Sequence, residues 1–370
     1  MSPKITFVRT MPHFSMDVYA NGLIEGLKTH HPSCEIVELV PRSFNRDSYS
    51  LNIRMQKAYE RFWRFPKEVQ QQSTDIFHIV DHSDAHIVRW LKKTGKPVVV
   101  TCHDLINFVY PENLQSSVRL PIISDILARY SIEAMKIADF VIAVSSETAK
   151  NIDRILKIDS ACIAVIPNAV QSDFHQLPAE QSQALRLELS TNPDTFCLLN
   201  VGGNHPRKNL IGILKALKIL SQKDIPIQLW KVSENFNDED WDYIQTNNLG
   251  KYIKYLGYPD KSRLTQIYNA ADVLVAPSFH EGFGITLIEA MACGIPVITS
   301  NVSAMPEVVG DAGILVDPKD SKAIADAVFC LYNNPTYYQK LRNKGIKRVK
   351  SFTWGNIAEQ TIRVYQELLK

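Results

Sequence analysis

The sequence has 370 residues, of which 45% are hydrophobic and 22% charged, the composition of a globular chain long enough for two domains. Its net charge of +2 excludes a strongly basic nucleic-acid-binding protein. The six cysteines lack C-x-x-C spacing, and the sequence has neither a signal peptide nor an apolar run of about 18 residues. We therefore expect a cytoplasmic protein without a zinc site or a disulfide framework.

Apolar runs that alternate with helix-like segments in the first half predict a parallel α/β domain. Residues 16–29 have the apolar spacing of a helix. In the loop before this helix His13 is the only polar ring, and it is a candidate for contact with a substrate. Strands are predicted at residues 4–9, 35–40, 76–80, 97–104, 138–144 and 164–170.

The predicted strand at 97–104 ends in His103 and Asp104. A histidine at the carboxyl end of a parallel strand faces the edge of the sheet where ligands bind, and its neutral imidazole donates hydrogen bonds to hydroxyl or backbone oxygens. His103 is therefore the strongest candidate site residue of this half, and a core histidine with local hydrogen bonds is the alternative. Asp104 fits either a contact with an acceptor or a helix N-cap.

Two other segments of the first half allow more than one interpretation. His78, His82 and His86 have the spacing of a metal site, but a strand end that passes into a helix and lines the ligand-binding edge explains this spacing better. Residues 54–67 combine five basic and four aromatic residues. Such a helix fits contact with an anionic membrane surface, or packing with an apolar inner face and a basic outer face.

The second half follows a polar segment, residues 171–194, which is predicted to be an interdomain linker with a short helix. A predicted strand then leads into a loop that contains Gly203, Arg207 and Lys208. Glycines that admit a close ligand, together with a guanidinium fork and an ammonium group, are typical of a phosphate-binding loop. The alternative is a basic loop at the surface.

A D-x-D sequence at 238–240 invites a metal interpretation. We interpret it instead as the first turn of a helix capped by Asn237, because acidic residues there complement the helix dipole.

A second glycine loop joins a predicted strand at 271–278 to a predicted helix at 286–293. Such a loop exposes backbone N–H groups and the positive end of the helix dipole, which bind phosphate. Glu281 lies in the loop and Glu289 in the helix, and carboxylates are good acceptors for sugar hydroxyls. The pattern predicts a nucleotide-sugar site, and a surface loop with two solvated glutamates is the alternative.

The sequence E-G-F-G-x-x-x-x-E-A-M-A-C-G-x-P-V at 281–297 resembles the signature of the retaining glycosyltransferases of family 4. The G-x-x-x-x-R-K-N element at 202–209 supports the resemblance. It implies the GT-B architecture, in which two Rossmann-like parallel-sheet domains face each other across a cleft. We expect an acceptor-side domain at 1–175, a nucleotide-sugar-binding domain at 190–350, and a helix at 351–370 that packs back on the first domain.

The resemblance also implies roles for single residues. Glu289 is expected to hold the ribose hydroxyls, Arg207 and Lys208 the diphosphate, and Glu281 the donor sugar, with His103 reaching that sugar from across the cleft. His13 and Asp104 are expected on the acceptor side. The expected donor-binding residues are Gly203, Tyr258, Phe283, Gly284, Ile285, Thr286 and Glu289.

The expected reaction is retaining, metal-independent transfer of a hexosyl group without a cofactor. The expected donor is a nucleoside diphosphate sugar of the GDP-mannose or UDP-glucose type, and the acceptor is a hydroxyl of a sugar, a lipid-linked sugar or a small molecule. Peripheral contact with the inner membrane face through residues 54–67 fits a lipid-linked acceptor. A glycoside hydrolase is one alternative, although it leaves the phosphate-binding loop unexplained. A non-catalytic partner that binds nucleotide-sugar is the other.

Overall fold

The computed structural model describes residues 3–10, 15–44, 50–109, 122–189, 192, 194–223 and 225–370. These residues form two compact units, each built around one parallel sheet. The first unit contains the described residues of 1–169 together with 353–370, and the second contains the described residues of 170–352. Two α/β units of this kind confirm the predicted pair of Rossmann-like domains.

Strands and helices alternate along most of both units, because parallel strands need a crossover connection between them. The strands are β1 (Lys4–Val8), β2 (Glu35–Leu39), β3 (Ile76–Ile79), β4 (Val98–Cys102), β5 (Phe140–Ala143), β6 (Ile163–Val165), β7 (Phe196–Gly202), β8 (Ile227–Ser233), β9 (Ile253–Tyr255), β10 (Val273–Ala276), β11 (Val297–Ser300) and β12 (Gly313–Val316). The helices are α1 (Ser15–His30), α2 (Leu51–Tyr59), α3 (Phe65–Gln70), α4 (Val88–Leu91), α5 (Ile106–Val109), α6 (Ile122–Glu133), α7 (Ser146–Leu156), α8 (Ala179–Leu189), α9 (Leu210–Leu220), α10 (Asp238–Thr246), α11 (Lys261–Ala270), α12 (Ile285–Ala292), α13 (Met305–Val309), α14 (Ser321–Asn333), α15 (Pro335–Val349) and α16 (Trp354–Leu368).

Each sheet contains a point where the strand order reverses. The first sheet has the order β2-β1-β3-β4-β5-β6, and the second has the order β12-β11-β10-β7-β8-β9. The chain therefore changes direction across the sheet between β1 and β3 in the first unit, and between β7 and β10 in the second. Ligands of open parallel sheets bind outside the carboxyl ends of the strands at such points.

The helix α16 belongs to the first unit, where it packs on α1. Two glycines of α1 make this close approach possible. A Cβ atom on Gly22 would lie 2.0 Å from the indole ring of Trp354, and one on Gly26 would lie 2.6 Å from the carbonyl oxygen of Trp354. The predicted return of the last helix to the first domain is therefore confirmed.

A buried chain of polar side chains fastens α16 to the sheet. The Tyr365 hydroxyl contacts Nδ1 of His78, and Nε2 of His78 lies 2.7 Å from the Thr101 hydroxyl oxygen. The Tyr19 hydroxyl lies 3.2 Å from the same Thr101 oxygen. Burial lowers the pKa of His78 to about 3, so this imidazole is neutral and joins the chain as one donor and one acceptor.

Residues 51–70 form one helical rod, in which a π-helical turn at Glu60–Arg64 joins α2 to α3. The Glu60 carboxylate is buried, pairs with Arg64, and accepts a hydrogen bond of 2.9 Å from the Arg42 amide. Phe65 and Val69 turn inward, whereas other apolar side chains of the rod are exposed. Among the helices that the structure describes, none is long and apolar enough to cross a bilayer.

Candidate functional site

The two glycine loops predicted from the sequence meet at the reversal point of the second sheet. The loop after β7 contains the turn Pro206–Lys208, and the loop after β10 leads into α12. The Phe279 amide donates a hydrogen bond of 2.7 Å to the Arg207 carbonyl oxygen and so joins the two loops. Because β7 and β10 are parallel neighbours, their carboxyl ends place both loops at one edge of the sheet.

At this edge of the sheet, the Glu281 carboxylate binds both cations of the loop after β7. Its Oε2 lies 2.7 Å from Nη1 of Arg207, and its Oε1 lies 2.6 Å from Nζ of Lys208. The Ser278 hydroxyl donates a third bond, of 2.8 Å, to Oε1. Burial alone would raise the pKa of Glu281, but Lys208 and Arg207 outweigh it and lower the pKa to about 2. The carboxylate is therefore ionised at every physiological pH and acts as an acceptor only.

The second carboxylate, Glu289, lies on α12 in a different environment. The Tyr268 hydroxyl donates a hydrogen bond of 2.8 Å to its Oε2. Burial raises the pKa of Glu289 to about 7, although the Tyr268 bond and the charge of Lys208 act in the opposite direction. The two glutamates thus differ strongly in proton affinity, although the charge of Lys208 acts to lower the pKa of both.

The backbone between the two glutamates is shaped for a close ligand. Gly284 begins α12 with φ of 95°, a left-handed conformation that favours glycine, and a Cβ there would lie 2.9 Å from the Leu287 side chain. Phe283 is buried and packs edge-on against Phe352, so its side chain anchors the loop. Ile285 and Thr286 form the first helical turn, whose free N–H groups and dipole suit an anion.

A buried lysine, Lys231, supports the start of the loop after β7, and it was not predicted as a site residue. Nζ of Lys231 donates hydrogen bonds to the carbonyl oxygens of Gly202 and Val232. Burial lowers the pKa of Lys231 to about 8. The Glu234 carboxylate accepts a bond of 2.7 Å from the Asn204 amide and would lie 2.8 Å from a Cβ on Gly203. A side chain at Gly203 would therefore displace Glu234.

Tyr258 follows β9 and is 75% exposed. The adjoining Gly257 carbonyl oxygen accepts a hydrogen bond of 2.7 Å from the Ser233 amide at the end of β8. Ser233 adopts a left-handed φ of 78°, a conformation that favours glycine. The backbone of Ser233 therefore has a conformation more usual for glycine. The Ser233 carbonyl oxygen accepts a hydrogen bond of 2.7 Å from the Tyr255 hydroxyl.

The candidate residues of the first half lie in the first unit. His103 is buried, and its Nε2 donates a hydrogen bond of 2.9 Å to the Val80 carbonyl oxygen, so the locally bonded alternative describes its ring. Burial lowers the pKa of His103, which keeps the imidazole neutral. Asp104 accepts a bond of 3.2 Å from the amide of Ile106, the first residue of α5, and lies one residue before the N-cap position. His13 lies outside the described residues.

The three histidines with metal-like spacing have separate partners. His78 belongs to the buried polar chain, and His86 lies 2.9 Å from the Arg61 carbonyl oxygen through Nε2. His82 accepts a bond of 3.4 Å from the His103 amide. Across the described ranges, no group of three His, Cys, Asp or Glu side chains has a metal-binding arrangement. The preferred interpretation, a strand end that passes into a helix, describes this segment, because a 3₁₀ helix at His82–Ile87 follows β3.

Sequence patterns could not indicate every residue that shapes this site. Lys231 carried a signal, because it is a charged residue next to the apolar residues Leu229, Trp230 and Val232. Tyr268 and Ser278 carried none, since each meets its glutamate only through the packing of α11 and the loop after β10.

Two known families match most of the chain between them. Residues 22–174 match the family described as Glycosyltransferase Family 4, and residues 181–348 match the family described as Glycosyl transferases group 1. The O-antigen chain mannosyltransferase B of Escherichia coli is 32% identical over 276 residues, which are 73% of this chain and 70% of that protein. The serotype-specific mannosyltransferase WbdA of the same species is 27% identical over 80% of this chain, which corresponds to only 37% of WbdA.

Solved structures share the fold at low sequence identity. Anabaena HepE in complex with UDP has a TM-score of 0.75 and 16% identity, with 98% of this chain and 100% of HepE covered. Sucrose-phosphate synthase from Thermosynechococcus elongatus has a TM-score of 0.73 and 22% identity, with 99% and 98% covered. These likenesses support the two-domain architecture inferred from the strand orders.

Proposed function

This chain belongs to glycosyltransferase family 4 and is a glycosyltransferase, and we propose that it transfers a mannosyl group from a nucleoside diphosphate mannose to an acceptor hydroxyl. GDP-mannose is the expected donor, and UDP-glucose is the alternative. Similarity to a mannosyltransferase over most of both chains supports mannose. The observation that carries the proposal is the cluster of Arg207, Lys208 and Glu281 beside the start of α12.

The two cations of this cluster suit a diphosphate leaving group. Negative charge builds on the diphosphate as its bond to the sugar breaks, so contacts from Arg207 and Lys208 strengthen in the transition state. Each charge-assisted contact of this kind is worth roughly 1.5–3 kcal/mol. Glu281 holds both side chains in place at 2.7 and 2.6 Å, which reduces the reorganisation that diphosphate binding requires.

We propose different tasks for the two glutamates. Glu281, with a pKa of about 2, accepts hydrogen bonds from hydroxyls of the donor sugar. Glu289 accepts the ribose hydroxyls when ionised, and Tyr258 lies beside the base. The amides of Phe283 and Gly284 contact the sugar and phosphate. His103 is assigned to the donor sugar, and Asp104 and His13 to the acceptor, on the resemblance alone.

We infer that transfer retains the anomeric configuration and needs no metal ion. The bond between the anomeric carbon and the diphosphate oxygen breaks, and the acceptor oxygen bonds to that carbon on the same face. The acceptor proton passes to the departing diphosphate. Arg207 and Lys208 supply the positive charge that a metal ion supplies in other sites. An unchanged rate in EDTA and an α-linked product from an α-linked donor, identified by NMR, are the expected results.

A donor screen tests the proposed function. Release of nucleoside diphosphate is measured with GDP-mannose, UDP-glucose and ADP-glucose, each with and without simple sugars as acceptors. GDP-mannose should give the fastest release, and Glu281→Gln should abolish most of it. Glu239→Gln, on the exposed surface of α10, is the matched control and should behave as wild type. Release from none of the donors would overturn the proposal.

Membership in the family weighs against both alternatives from the sequence. A glycoside hydrolase has no diphosphate leaving group, so that function leaves the Arg207–Lys208 pair unexplained. Similarity to named mannosyltransferases favours an enzyme over a non-catalytic partner. The screen separates these functions as well. A hydrolase would cleave oligosaccharides without consuming GDP-mannose, and a silent partner would bind the donor without turnover.

We further propose that the helical rod of residues 51–70 contacts an anionic membrane surface. Leu51, Met55, Tyr59 and Trp63 follow each other at intervals of four residues and are 55–72% exposed. Basic residues at five positions between 54 and 67 accompany them. Arg61 and Arg64 also form ion pairs within the unit, and a basic surface of this kind suits negatively charged lipid headgroups.

Vesicle flotation tests this contact. The protein should float with vesicles of phosphatidylcholine and phosphatidylglycerol, and the double variant Met55→Ser/Trp63→Ser should not. Leu187→Ser, which removes an exposed leucine of α8 in the second unit, is the control and should float. Equal flotation of all three proteins would refute the contact.

A further inference from the structure

The first unit contains a cavity of about 400 Å³ that the proposed donor site does not use. It lies at the carboxyl ends of β1 and β3, where the order of the first sheet reverses, since Thr10 follows β1 and Asp81 follows β3. Its volume is in the range of small-molecule sites, and a reversal point is where open parallel sheets bind ligands.

The wall of the cavity is largely apolar and includes two rings. Phe62 and Phe65 come from the rod of residues 51–70, and Ile87 and Leu127 come from the segments on the other side. Phe65 is 3% exposed, so its position is fixed by packing. Flat apolar surfaces of this kind suit the C–H face of a sugar ring as well as a purely apolar ligand.

Asp81 contributes a polar group with a fixed orientation to this wall. It is 8% exposed, and its Oδ1 accepts a hydrogen bond of 2.6 Å from the Ser83 amide. Burial alone would raise the pKa of Asp81, but His82 and His103 outweigh it and bring the pKa below its usual value. Asp81 is therefore an ionised carboxylate held in one orientation, and such a group accepts hydrogen bonds from hydroxyls.

The charges around the cavity are balanced. Lys57 and Arg61 contribute two positive charges, and Asp81 and Asp84 contribute two negative ones. Nε of Arg61 lies 2.8 Å from Oδ1 of Asp84, so these two side chains neutralise each other. A balanced wall gives no net attraction for a phosphorylated ligand, which favours a neutral polar ligand.

Asp81 is also connected to the histidine assigned to the donor sugar. Nε2 of His103 donates to the carbonyl oxygen of Val80, and the His103 amide donates to Nδ1 of His82. The residues on both sides of Asp81 therefore hold His103, and the cavity wall and the histidine form one bonded group within the first unit.

From this geometry we propose that the cavity binds a neutral sugar residue of the acceptor, with a hydroxyl of that sugar donating a hydrogen bond to Asp81. The proposal rests on the proposed function and narrows the acceptor to a saccharide end. Asp81 binds and orients the acceptor, and the acceptor proton still passes to the departing diphosphate.

Kinetics of two cavity variants test this assignment. The probes are methyl α-mannoside, which is neutral, and mannose 6-phosphate, with GDP-mannose as donor. Asp81→Asn should raise KM for methyl α-mannoside about tenfold, a loss of about 1.4 kcal/mol in binding. It should also lower the ratio of transfer to donor hydrolysis by a similar factor. Asp125→Asn, which removes a carboxylate paired with Arg129 on α6, is the matched control.

The second variant, Ala58→Trp, fills the cavity from an exposed position, so it tests the site even where Asp81→Asn fails to fold. It should also raise KM for methyl α-mannoside. Unchanged KM in the folded variants, preference for mannose 6-phosphate, or donor hydrolysis without transfer to a neutral sugar would each overturn the acceptor assignment. Absence of any GDP release by wild-type protein would instead overturn the proposed function on which it rests.

Discussion

At the scale of single residues, the second unit concentrates opposite charge around Glu281. Two cations and a hydroxyl converge on one carboxylate, which lowers its pKa to about 2. In the proposed function, this arrangement holds Arg207 and Lys208 in position for a diphosphate. Removal of either cation would leave Glu281 with a single charged partner.

We expect Lys208→Met to lower kcat for transfer by about 10²–10³-fold, the loss typical of a group that stabilises transition-state charge. The methionine keeps most of the side-chain length but removes the charge. Lys340→Met, on the exposed surface of α15, is the matched control and should retain the wild-type rate. Initial rates of GDP release decide the outcome, and a variant within about twofold of wild type would exclude a role for Lys208 in the chemistry.

Glu289 predicts a pH dependence of stability with a definite sign. Its pKa in the folded protein, about 7, lies above the usual value of 4.5. The contribution of Glu289 to stability is therefore fully present below pH 4.5 and is lost as the pH rises through 7. The free energy of unfolding of wild type, relative to Glu289→Gln, should fall across this interval.

Urea denaturation at a series of pH values measures this difference. Gln245→Glu, near the end of α10, adds a carboxyl in the same unit and controls for a general charge effect. A difference between wild type and Glu289→Gln that stays constant from pH 4.5 to 7 would mean that the carboxyl titrates normally.

The sequence indicated the main site residues because loops at the carboxyl ends of neighbouring parallel strands must meet. Arg207, Lys208 and Glu281 are such residues, and they lie within hydrogen-bonding distance. The contacts of Lys231 and Tyr268 were not predicted, because they depend on how β8 and α11 pack beside those loops. The cavity beside Asp81 was anticipated only as a ligand-binding edge, because its volume and charge balance depend on packing.

At the scale of elements, the contact between α1 and α16 depends on backbone approach. Gly26→Ala should destabilise the first unit by about 1–3 kcal/mol, the usual cost of overpacking, because the new Cβ would lie 2.6 Å from the Trp354 carbonyl oxygen. Gly250→Ala is the matched control, since a Cβ there meets nothing within 4 Å. Thermal unfolding followed by circular dichroism should show a lower midpoint for Gly26→Ala alone.

Element types were predictable from apolar periodicity, and some bounds agree closely. The helix predicted at 16–29 is observed at Ser15–His30, and Asn237 caps α10 as predicted, in a capping box with Asp240. The strand predicted at 97–104 is shorter in the structure, Val98–Cys102. Its last predicted residues, His103 and Asp104, leave the ladder because their side chains bond to Val80 and to the start of α5.

At the scale of the whole molecule, the first unit is assembled from two separate parts of the chain. α16 buries Ile357, Ile362 and Tyr365 in that unit, although the entire second unit separates it from residue 169. The resemblance implied this return, whereas periodicity alone indicated only that residues 352–370 form a helix.

We expect removal of residues 353–370 to impair the first unit selectively. The truncated protein should lose the unfolding transition of the first unit, because His78 loses the Tyr365 hydroxyl and an apolar face becomes exposed. GDP should still raise the transition of the second unit. Differential scanning calorimetry measures both, and a synthetic peptide of residues 353–370 should partly restore the lost transition. Equal loss of both transitions would show that the two units depend on each other.

The late position of α16 has a consequence for biosynthesis. A ribosome must translate all of residues 170–352 before it reaches the helix that covers Tyr19, Leu23 and the rest of that apolar face. An amino-terminal domain usually folds first as the chain is made, but here the first unit cannot be completed before the second has been translated. Until then part of the apolar face of the first unit lacks the helix that covers it.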